Sequence, residues 1–247
     1  MTRLAVVTGG GSGLGQTISE YLARDGRRVA VLDINAEAAE KVSSDLTGMG
    51  ATAIGVQVDV SDPAAVSKAF GIVRDNLGPI DILVTSAAVA GFTRFDEIKF
   101  DEWNRYLAVN LTGTFLCLQA ALPDMVAAQW GRVVTISSAA GQTGSVRQGH
   151  YSASKGGVIA LSKTVALEYA AKGITVNTVP PFTVDTPMLR EAQRAKKLPP
   201  SEILARAIPA GRLGTGEDIA AICAFLCSDS ASYITGQVIG VNGGAVI

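Results

Sequence analysis

The sequence is poor in charged and aromatic residues, and its charges nearly balance. Charged residues make up 17% and aromatic residues 6% of the 247 residues, and the formal net charge is −1. No run of five like charges occurs, so the basic footprint of a nucleic-acid-binding protein and a polybasic membrane anchor are both missing. We therefore expect small neutral or weakly charged partners, with neither nucleic acid nor a membrane among them.

Cysteine and long apolar runs are also scarce. The three cysteines, at positions 117, 223 and 227, match no zinc-ligand spacing and cannot all pair, so we expect no metal and a reducing cytoplasm. Cys223 and Cys227 are interpreted as small core residues of a helix. No apolar run approaches the ~20 residues of a membrane helix. The strand-like residues 4–7 begin too early for a signal peptide.

What the sequence does have is a regular alternation of short β-branched runs with longer Ala-rich helical stretches. This alternation is typical of βαβ units, whose strands are parallel. It predicts a single α/β domain over residues 1–247, a Rossmann-type doubly wound fold with a seven-stranded parallel sheet and helices on both faces. The predicted strands are 4–8, 29–33, 52–58, 80–85, 132–137, 174–179 and 238–241, and the clearest helices are 14–24, 36–46, 63–76 and 152–170.

One long segment interrupts this alternation. Residues 182–212 are flanked by prolines, rich in charge and longer than an ordinary connection. In a compact enzyme such an insertion is more often a lid than a disordered loop. We therefore predict that residues 182–212 form a lid over the substrate.

A glycine-rich turn follows the first predicted strand. Residues 8–15 read TGGGSGLG and lead directly into a helix. Such glycines allow a tight turn and let backbone N–H groups approach a pyrophosphate at the helix N-terminus. The second strand ends in Asp33, 18 residues after Gly15, where a carboxylate can accept hydrogen bonds from the adenosine ribose and repels a 2′-phosphate. The alternative is that Asp33 only caps the next helix before Asn35.

A tyrosine and a lysine lie four positions apart. Tyr151 and Lys155, in the segment YSASK, share one face of a predicted helix, so their side chains can be neighbours. A nearby cation can lower the tyrosine pKa of ~10 towards the range that is useful at neutral pH. Ser138 ends a predicted strand, with twelve residues between it and Tyr151. These residues predict acid–base chemistry at a substrate oxygen.

Together these motifs resemble the single-domain form of the short-chain dehydrogenase/reductase family, from residue 4 to residue 244. The resemblance implies an NAD(H)-dependent oxidoreductase that moves a hydride between nicotinamide and a secondary alcohol or ketone, and a homotetramer. The matching residues are the turn at 8–15, Asp59-Val60, Asn110, Ser138, Tyr151, Lys155, Val176-Asn177, Thr186-Pro187-Met188 and the segments 233–237 and 241–244.

The resemblance also assigns roles to single residues. Tyr151 would protonate the carbonyl oxygen or deprotonate the alcohol, and Lys155 would lower the tyrosine pKa and bind the nicotinamide ribose. Ser138 would hold the substrate oxygen, and Asn110 would fix a water that links Lys155 to solvent. The implied cofactor-binding residues are Gly9, Ser12, Gly13, Leu14, Gly15, Asp33, Asp59, Val60, Ser86, Ala87, Ala88, Tyr151, Lys155, Pro181, Val184, Thr186 and Met188. The predicted substrate-binding residues are Ser138, Tyr151, Phe182, Phe92 and Leu189.

Three segments depart from the family's usual pattern. Residues 85–88 read TSAA where members usually have NNAG, which leaves the cofactor affinity open. Phe182 follows Pro181 where a glycine is usual, and Asn242 stands where an aspartate is common. We expect Phe182 to narrow the active site and help select the substrate, and packing beneath the lid is the alternative.

Two other functions stay open at this point. A 3-oxoacyl-[acyl-carrier-protein] reductase is the nearest rival, although such enzymes usually prefer NADPH and often carry a basic pair where residues 127–130 read AAQW. The second rival, a catalytically silent nucleotide-sensing protein, does not explain why all four catalytic residues are intact. Phe92, Met188 and Leu189 fit an apolar pocket or ordinary packing equally well, and His150 is interpreted as a loop residue.

Overall fold

Six short apolar segments form strands in the computed structural model, which describes residues 2–247. They are β1 (Leu4–Thr8), β2 (Arg28–Asp33), β3 (Ala53–Gln57), β4 (Ile82–Thr85), β5 (Gly131–Ile136) and β6 (Ile174–Val179). They pair in parallel in the order β3-β2-β1-β4-β5-β6. The strand order reverses between β1 and β4, and ligands of doubly wound sheets bind in the crevice at such a point. The predicted parallel Rossmann-type fold is therefore confirmed.

Helices cover both faces of the sheet because the strand side chains alternate between two apolar layers. Leu4 and Val6 of β1 belong to one layer, and Ala5 and Val7 belong to the other. The helices are α1 (Gly13–Arg24), α2 (Ala36–Gly48), α3 (Pro63–Leu77), α4 (Phe100–Tyr106), α5 (Gly113–Ala128), α6 (Ala139–Thr143), α7 (Gly149–Tyr169), α8 (Pro187–Arg194), α9 (Ser201–Arg206) and α10 (Gly216–Leu226). Cys223 and Cys227 are fully buried in the second layer, as interpreted from the sequence.

The prediction of a seventh strand at residues 238–241 is wrong. This segment reaches the sheet only through isolated parallel bridges, from Val238 to Thr178 and from Val241 to Pro181. The physical reason lies in its neighbour, since β6 is followed by Pro180 and Pro181, which have no N–H to donate to a continuous ladder. The sheet therefore has six strands among the described residues, and the tail runs alongside β6 without extending it as a regular strand.

One helical stretch is longer than the sequence analysis anticipated. Residues Phe100–Ala128 form a continuous 29-residue helix, in which a π-helical turn over Leu107–Thr112 joins α4 to α5. By length and composition alone it could span a membrane. Cys117, Leu118 and Met125 of this helix are buried in the first apolar layer, and the helix packs against β4, β5 and α3. It is thus a core helix of the fold.

Candidate active site

Two positions of the glycine-rich turn between β1 and α1 depend on glycine. Gly9 has a φ of 64°, and a Cβ there would lie 2.7 Å from the Cα of Ala87. A Cβ on Gly15 would lie 2.1 Å from the carbonyl oxygen of Gly9. Side chains are therefore excluded from both positions, which leaves the backbone at the N-terminus of α1 open to a pyrophosphate.

A cleft of about 790 Å³ extends from this turn along the carboxyl ends of the strands to α7 and the segment 182–212. It brings together all the predicted cofactor-binding and substrate-binding residues, and of the four predicted catalytic residues only Asn110 does not line it. The predicted residues that line the cleft are Gly9, Ser12, Gly13, Leu14, Gly15, Asp33, Asp59, Val60, Ser86, Ala87, Ala88, Phe92, Ser138, Tyr151, Lys155, Pro181, Phe182, Val184, Thr186, Met188 and Leu189.

Asp33 lines the cleft and also accepts a hydrogen bond from the glycine-rich turn. Its Oδ2 accepts a hydrogen bond of 3.0 Å from the Gly11 N–H, and its Oδ1 accepts one of 3.0 Å from the Asn35 N–H. Asn35, in turn, is the residue that caps α2. A Cβ on Gly11 would lie 2.9 Å from the Asp33 Oδ2, so the turn cannot carry a cationic side chain at that position without a shift. Asp33 therefore fits both interpretations, since it lines the cleft and also hydrogen-bonds the neighbouring backbone.

Ser138, Tyr151 and Lys155 meet where β5 ends and α7 begins. Ser138 lies two residues after the end of β5 and caps α6, accepting a hydrogen bond of 3.2 Å from the Ala140 N–H. Tyr151 lies in the first turn of α7, which starts at Gly149 and not at the predicted residue 152, and its hydroxyl is near enough to Ser138 for that side chain to lower the tyrosine pKa. Lys155 follows one turn later, with its Nζ donating to the Ile136 carbonyl at 2.8 Å.

Burial shifts the pKa values of Tyr151 and Lys155. It raises the pKa of Tyr151 above its usual value, an effect that the Ser138 side chain only partly opposes. It also lowers the pKa of Lys155 to about 8. The ammonium nitrogen lies 6.0 Å from the centroid of the Tyr151 ring. The direction predicted for the tyrosine pKa is therefore wrong in this structure, because the loss of hydration raises this pKa more than the Ser138 side chain lowers it.

Asn110 is fully buried in the π-helical turn and holds the segment that follows β4. Its Oδ1 accepts from the Val89 N–H at 2.8 Å, and its Nδ2 donates to the Val89 carbonyl at 3.0 Å and to the Ser154 Oγ at 3.0 Å. Single π-helical turns are frequent at functional sites. These contacts tie a wall of the cleft to α7, and the predicted water-holding role of Asn110 stays a prediction.

His150 is not a loop residue but a fully buried member of α7. Its ring stacks on that of Tyr106 with 3.7 Å between centroids, and its Nε2 lies 3.1 Å from the Glu102 Oε1. Its Nδ1 accepts the Tyr151 backbone N–H at 2.8 Å, so Nε2 carries the proton and donates to Glu102. Hydrogen bonds from Thr93 first, and then from His150, lower the pKa of Glu102. His150 thus fixes the backbone of the tyrosine.

We expect His150→Phe to lower kcat for the enzyme's reaction by about tenfold and stability by about 1–3 kcal/mol, while cofactor affinity is retained. Phenylalanine keeps a ring that can stack on Tyr106 but leaves the Tyr151 N–H without its acceptor. Steady-state kinetics, urea unfolding and a cofactor titration measure the three quantities. An unchanged kcat in a destabilised variant would show that His150 serves only folding.

Comparison with known proteins then gives the family. The profile of a family described as Enoyl-(Acyl carrier protein) reductase matches residues 9–246. The 3-oxoacyl-[acyl-carrier-protein] reductase of Salmonella typhimurium is 38% identical over 242 residues, which cover 98% of this chain and 96% of that protein. The chain belongs to the short-chain dehydrogenase/reductase family. It is therefore an oxidoreductase, a dehydrogenase or reductase that works with a nicotinamide cofactor.

Other relatives in the family carry different names. The D-threitol dehydrogenase of Mycolicibacterium smegmatis is 38% identical over 245 residues, 99% of this chain and 93% of that protein. A solved structure described as ribose-5-phosphate isomerase from Brucella melitensis has a TM-score of 0.93 at 35% identity, and the match covers 100% of this chain and 93% of that one. The fold is thus shared across several named activities, and the substrate has to be argued from the cleft.

The structure explains how this short-chain dehydrogenase/reductase tolerates two of its departures from the family pattern. The Thr8 Oγ1 accepts hydrogen bonds from the backbone N–H groups of Ser86 and Ala87, at 3.2 and 3.3 Å. The segment 85–88 therefore keeps its place without the usual asparagines. Asn242 ties the C-terminal turn together, donating to the Val246 carbonyl at 2.7 Å and accepting from the Gly244 N–H at 2.9 Å.

The segment 182–212 supplies the outer wall of the cleft, through α8, α9 and the residues around them. Phe182 lines the cleft with 40% of its surface exposed, and Met188 is similarly open. The sequence analysis missed Gln148, Leu198 and Leu204, which also line the cleft. The position of Gln148 three residues before Tyr151 was a usable signal, whereas nothing in the sequence singles out the two leucines.

Proposed function

We propose that this short-chain dehydrogenase/reductase uses NAD(H) to interconvert a secondary alcohol and a ketone, with Tyr151 as proton donor and acceptor. The observation that carries the proposal is the meeting of Ser138, Tyr151 and Lys155 in one cleft whose other end presents Asp33 and Asp59. A phenol, a hydroxyl and a buried lysine together suit an oxygen on which charge changes during the reaction.

The cleft fits a dinucleotide. The bare backbone of the glycine-rich turn would hold the pyrophosphate, Asp33 the adenosine ribose, and Tyr151 and Lys155 the nicotinamide ribose. The bound nicotinamide supplies or accepts the hydride. The remaining contacts would come from Asp59, Val60, Ser86, Ala87, Ala88, Pro181, Val184, Thr186 and Met188.

Tyr151 moves the proton at its own hydroxyl. In ketone reduction this hydroxyl donates to the carbonyl oxygen, and in alcohol oxidation the phenolate accepts the proton. The raised pKa keeps Tyr151 protonated at neutral pH, which suits the donating direction. The neighbouring Ser138 hydroxyl holds the substrate oxygen, and the charge of Lys155 stabilises the phenolate as it forms.

We expect kcat/KM with NADH to exceed that with NADPH by about a hundredfold or more. The reason is that the 2′-phosphate of NADPH would face the negatively charged Asp33 with no cation between them. Among the described residues that line the cleft, the basic ones are Arg105 and Lys155, and Lys155 is buried beside Tyr151. Steady-state kinetics with both cofactors measure the ratio. Asp33→Asn removes the charge and keeps the side-chain shape, so it should narrow the preference, and higher efficiency with NADPH in the unmodified enzyme would contradict the proposal.

The substrate end of the cleft favours an apolar substituent on the ketone. Phe92, Phe182, Met188 and Leu189 line it, and buried apolar area contributes roughly 25 cal/mol per Å² to binding. The expected role of Phe182 in substrate selection is consistent with its place on this wall. Ketones with one bulky apolar group are therefore the first compounds to assay with NADH.

Reduction of a 3-oxoacyl thioester is the second candidate, and the name of the 38% identical Salmonella relative favours it. Two carboxylates at the adenosine end and the uncharged residues 127–130 oppose it, since such reductases usually prefer NADPH and often carry a basic pair there. Comparing an acetoacetyl thioester with simple ketones, using each cofactor, separates the two. Efficient NADPH-dependent reduction of the thioester alone would favour the second candidate.

A further inference from the structure

Gln148 is a polar side chain that lines the cleft and precedes the helix of Tyr151. It is only 8% exposed, and it lines the cleft together with Thr143, Ser145 and Tyr151. The Thr143 hydroxyl already donates to backbone carbonyls, at 3.2 Å to Ala139 and at 3.0 Å to Gly144. A buried amide in such a place needs a hydrogen-bond partner for each of its polar atoms.

Only one half of the Gln148 amide has a partner. Its Nε2 donates to the Gly91 carbonyl at 3.3 Å, whereas its Oε1 accepts no hydrogen bond from any residue in the range 2–247. A carbonyl partner requires a donor, so the amide nitrogen faces Gly91 and the oxygen is the free atom. The free acceptor is therefore left for a molecule in the cleft.

The position of Gln148 relative to Tyr151 brings this acceptor near the reacting oxygen. Gln148 is the residue that precedes α7, and Tyr151 is the third residue of that helix. Side chains three positions apart at the start of a helix are neighbours on one face, and Gln148 and Tyr151 both line the cleft. A substrate held by the Tyr151 hydroxyl therefore has its neighbouring carbon atoms close to Gln148.

We infer that Gln148 binds a second hydroxyl group of the substrate, on the carbon next to the one that reacts. The substrate class is then a vicinal diol or its α-hydroxy ketone, because a hydroxyl group on that carbon carries a proton that it can donate to the free Oε1. A plain ketone or a thioester carbonyl has no such proton. The inference rests on the proposed function, since it takes Tyr151 as the anchor of the reacting oxygen.

A matched pair of ketones tests the inference. NADH-dependent reduction of 3-hydroxybutan-2-one should be more efficient than that of butan-2-one in the unmodified enzyme. Gln148→Leu should lower kcat/KM for the hydroxy ketone by about tenfold, the size expected for one hydrogen bond, and change that for butan-2-one by less than about threefold.

Gln142→Leu is the control, because it makes the same chemical change at an exposed residue of α6 that does not line the cleft. It should leave both efficiencies unchanged. Equal losses for the two ketones in Gln148→Leu, or no preference in the unmodified enzyme, would overturn the inference. If Gln148→Leu does not fold, as judged by circular dichroism, Gln148→Met takes its place with the same expected results.

A binding measurement tests the role of Gln148 even if the proposed function fails. If the unmodified enzyme reduces no ketone, the proposed function fails, and calorimetric titration with butane-2,3-diol and butan-2-ol in the presence of NAD still decides the role of Gln148. Tighter binding of the diol that is lost in Gln148→Leu would support a hydroxyl site. Equal binding of the two alcohols would overturn it.

Discussion

Replacing Tyr151 by phenylalanine is expected to lower kcat by about 10²–10⁴-fold or more, the typical contribution of a positioned general acid–base group. The side chain is half-buried at the start of α7, and phenylalanine fills the same space, so the fold should be retained. What is lost is the hydroxyl that donates and accepts the proton. NADH absorbance measures the turnover, and a fluorescence titration measures the affinity for NADH, which should change little.

Tyr233→Phe is the matched control for this prediction. Tyr233 is fully exposed and does not line the cleft, so removing its hydroxyl should leave turnover and NADH affinity unchanged. Near-normal turnover in Tyr151→Phe would remove the phenol from the mechanism. A parallel loss of NADH affinity would instead indicate that the substitution distorts the cleft.

The cofactor end of the cleft was predictable because its residues occupy fixed places at strand ends. The glycine-rich turn follows β1, Asp33 ends β2, Asp59 follows β3 and Ser86 follows β4. The carboxyl ends of parallel strands meet at one edge of the sheet, so the order of motifs along the chain suffices to bring these residues together. The seventh strand was an avoidable error, since the missing N–H groups of the two prolines after β6 are visible in the sequence.

The supporting contacts around Tyr151 were not predictable in the same way. Glu102 and His150 lie 48 positions apart, and no periodicity or motif announces that their side chains meet. The tyrosine pKa was misjudged for a related reason, because the YSASK segment shows a nearby cation but not the loss of water around the phenol. Burial is a property of packing, and it decides the sign of the shift here.

Replacing Lys155 by methionine is expected to lower kcat by about 10²–10³-fold, the size typical of losing one preorganised electrostatic contact. Methionine fills the buried space but carries no charge to stabilise the phenolate of Tyr151. Stability at pH 7 should not fall for electrostatic reasons, since the folded protein holds this ammonium at a desolvation cost. Lys163→Met, at an exposed position of the same helix, is the control and should retain full activity.

The pH dependence of the unmodified enzyme tests the same charge. The pKa of Lys155 is lowered from 10.5 to about 8, so the folded protein keeps this ammonium below pH 8 and loses it above. Because the raised pKa of Tyr151 keeps the phenol protonated over this range, kcat/KM for ketone reduction should decline above about pH 8 as Lys155 loses its charge.

The effect of Lys155 on folding stability has the opposite sign. Between pH 8 and 10.5 the unfolded chain binds the proton that the folded chain has released, so the contribution of Lys155 to stability rises with pH. Across this window the activity of the unmodified enzyme should therefore fall, while its stability relative to Lys155→Met should rise, because the comparison cancels the contributions of the other titrating groups. The decline in activity should be absent from Lys155→Met. A decline in activity above pH 8 that persists in Lys155→Met would assign it to another group.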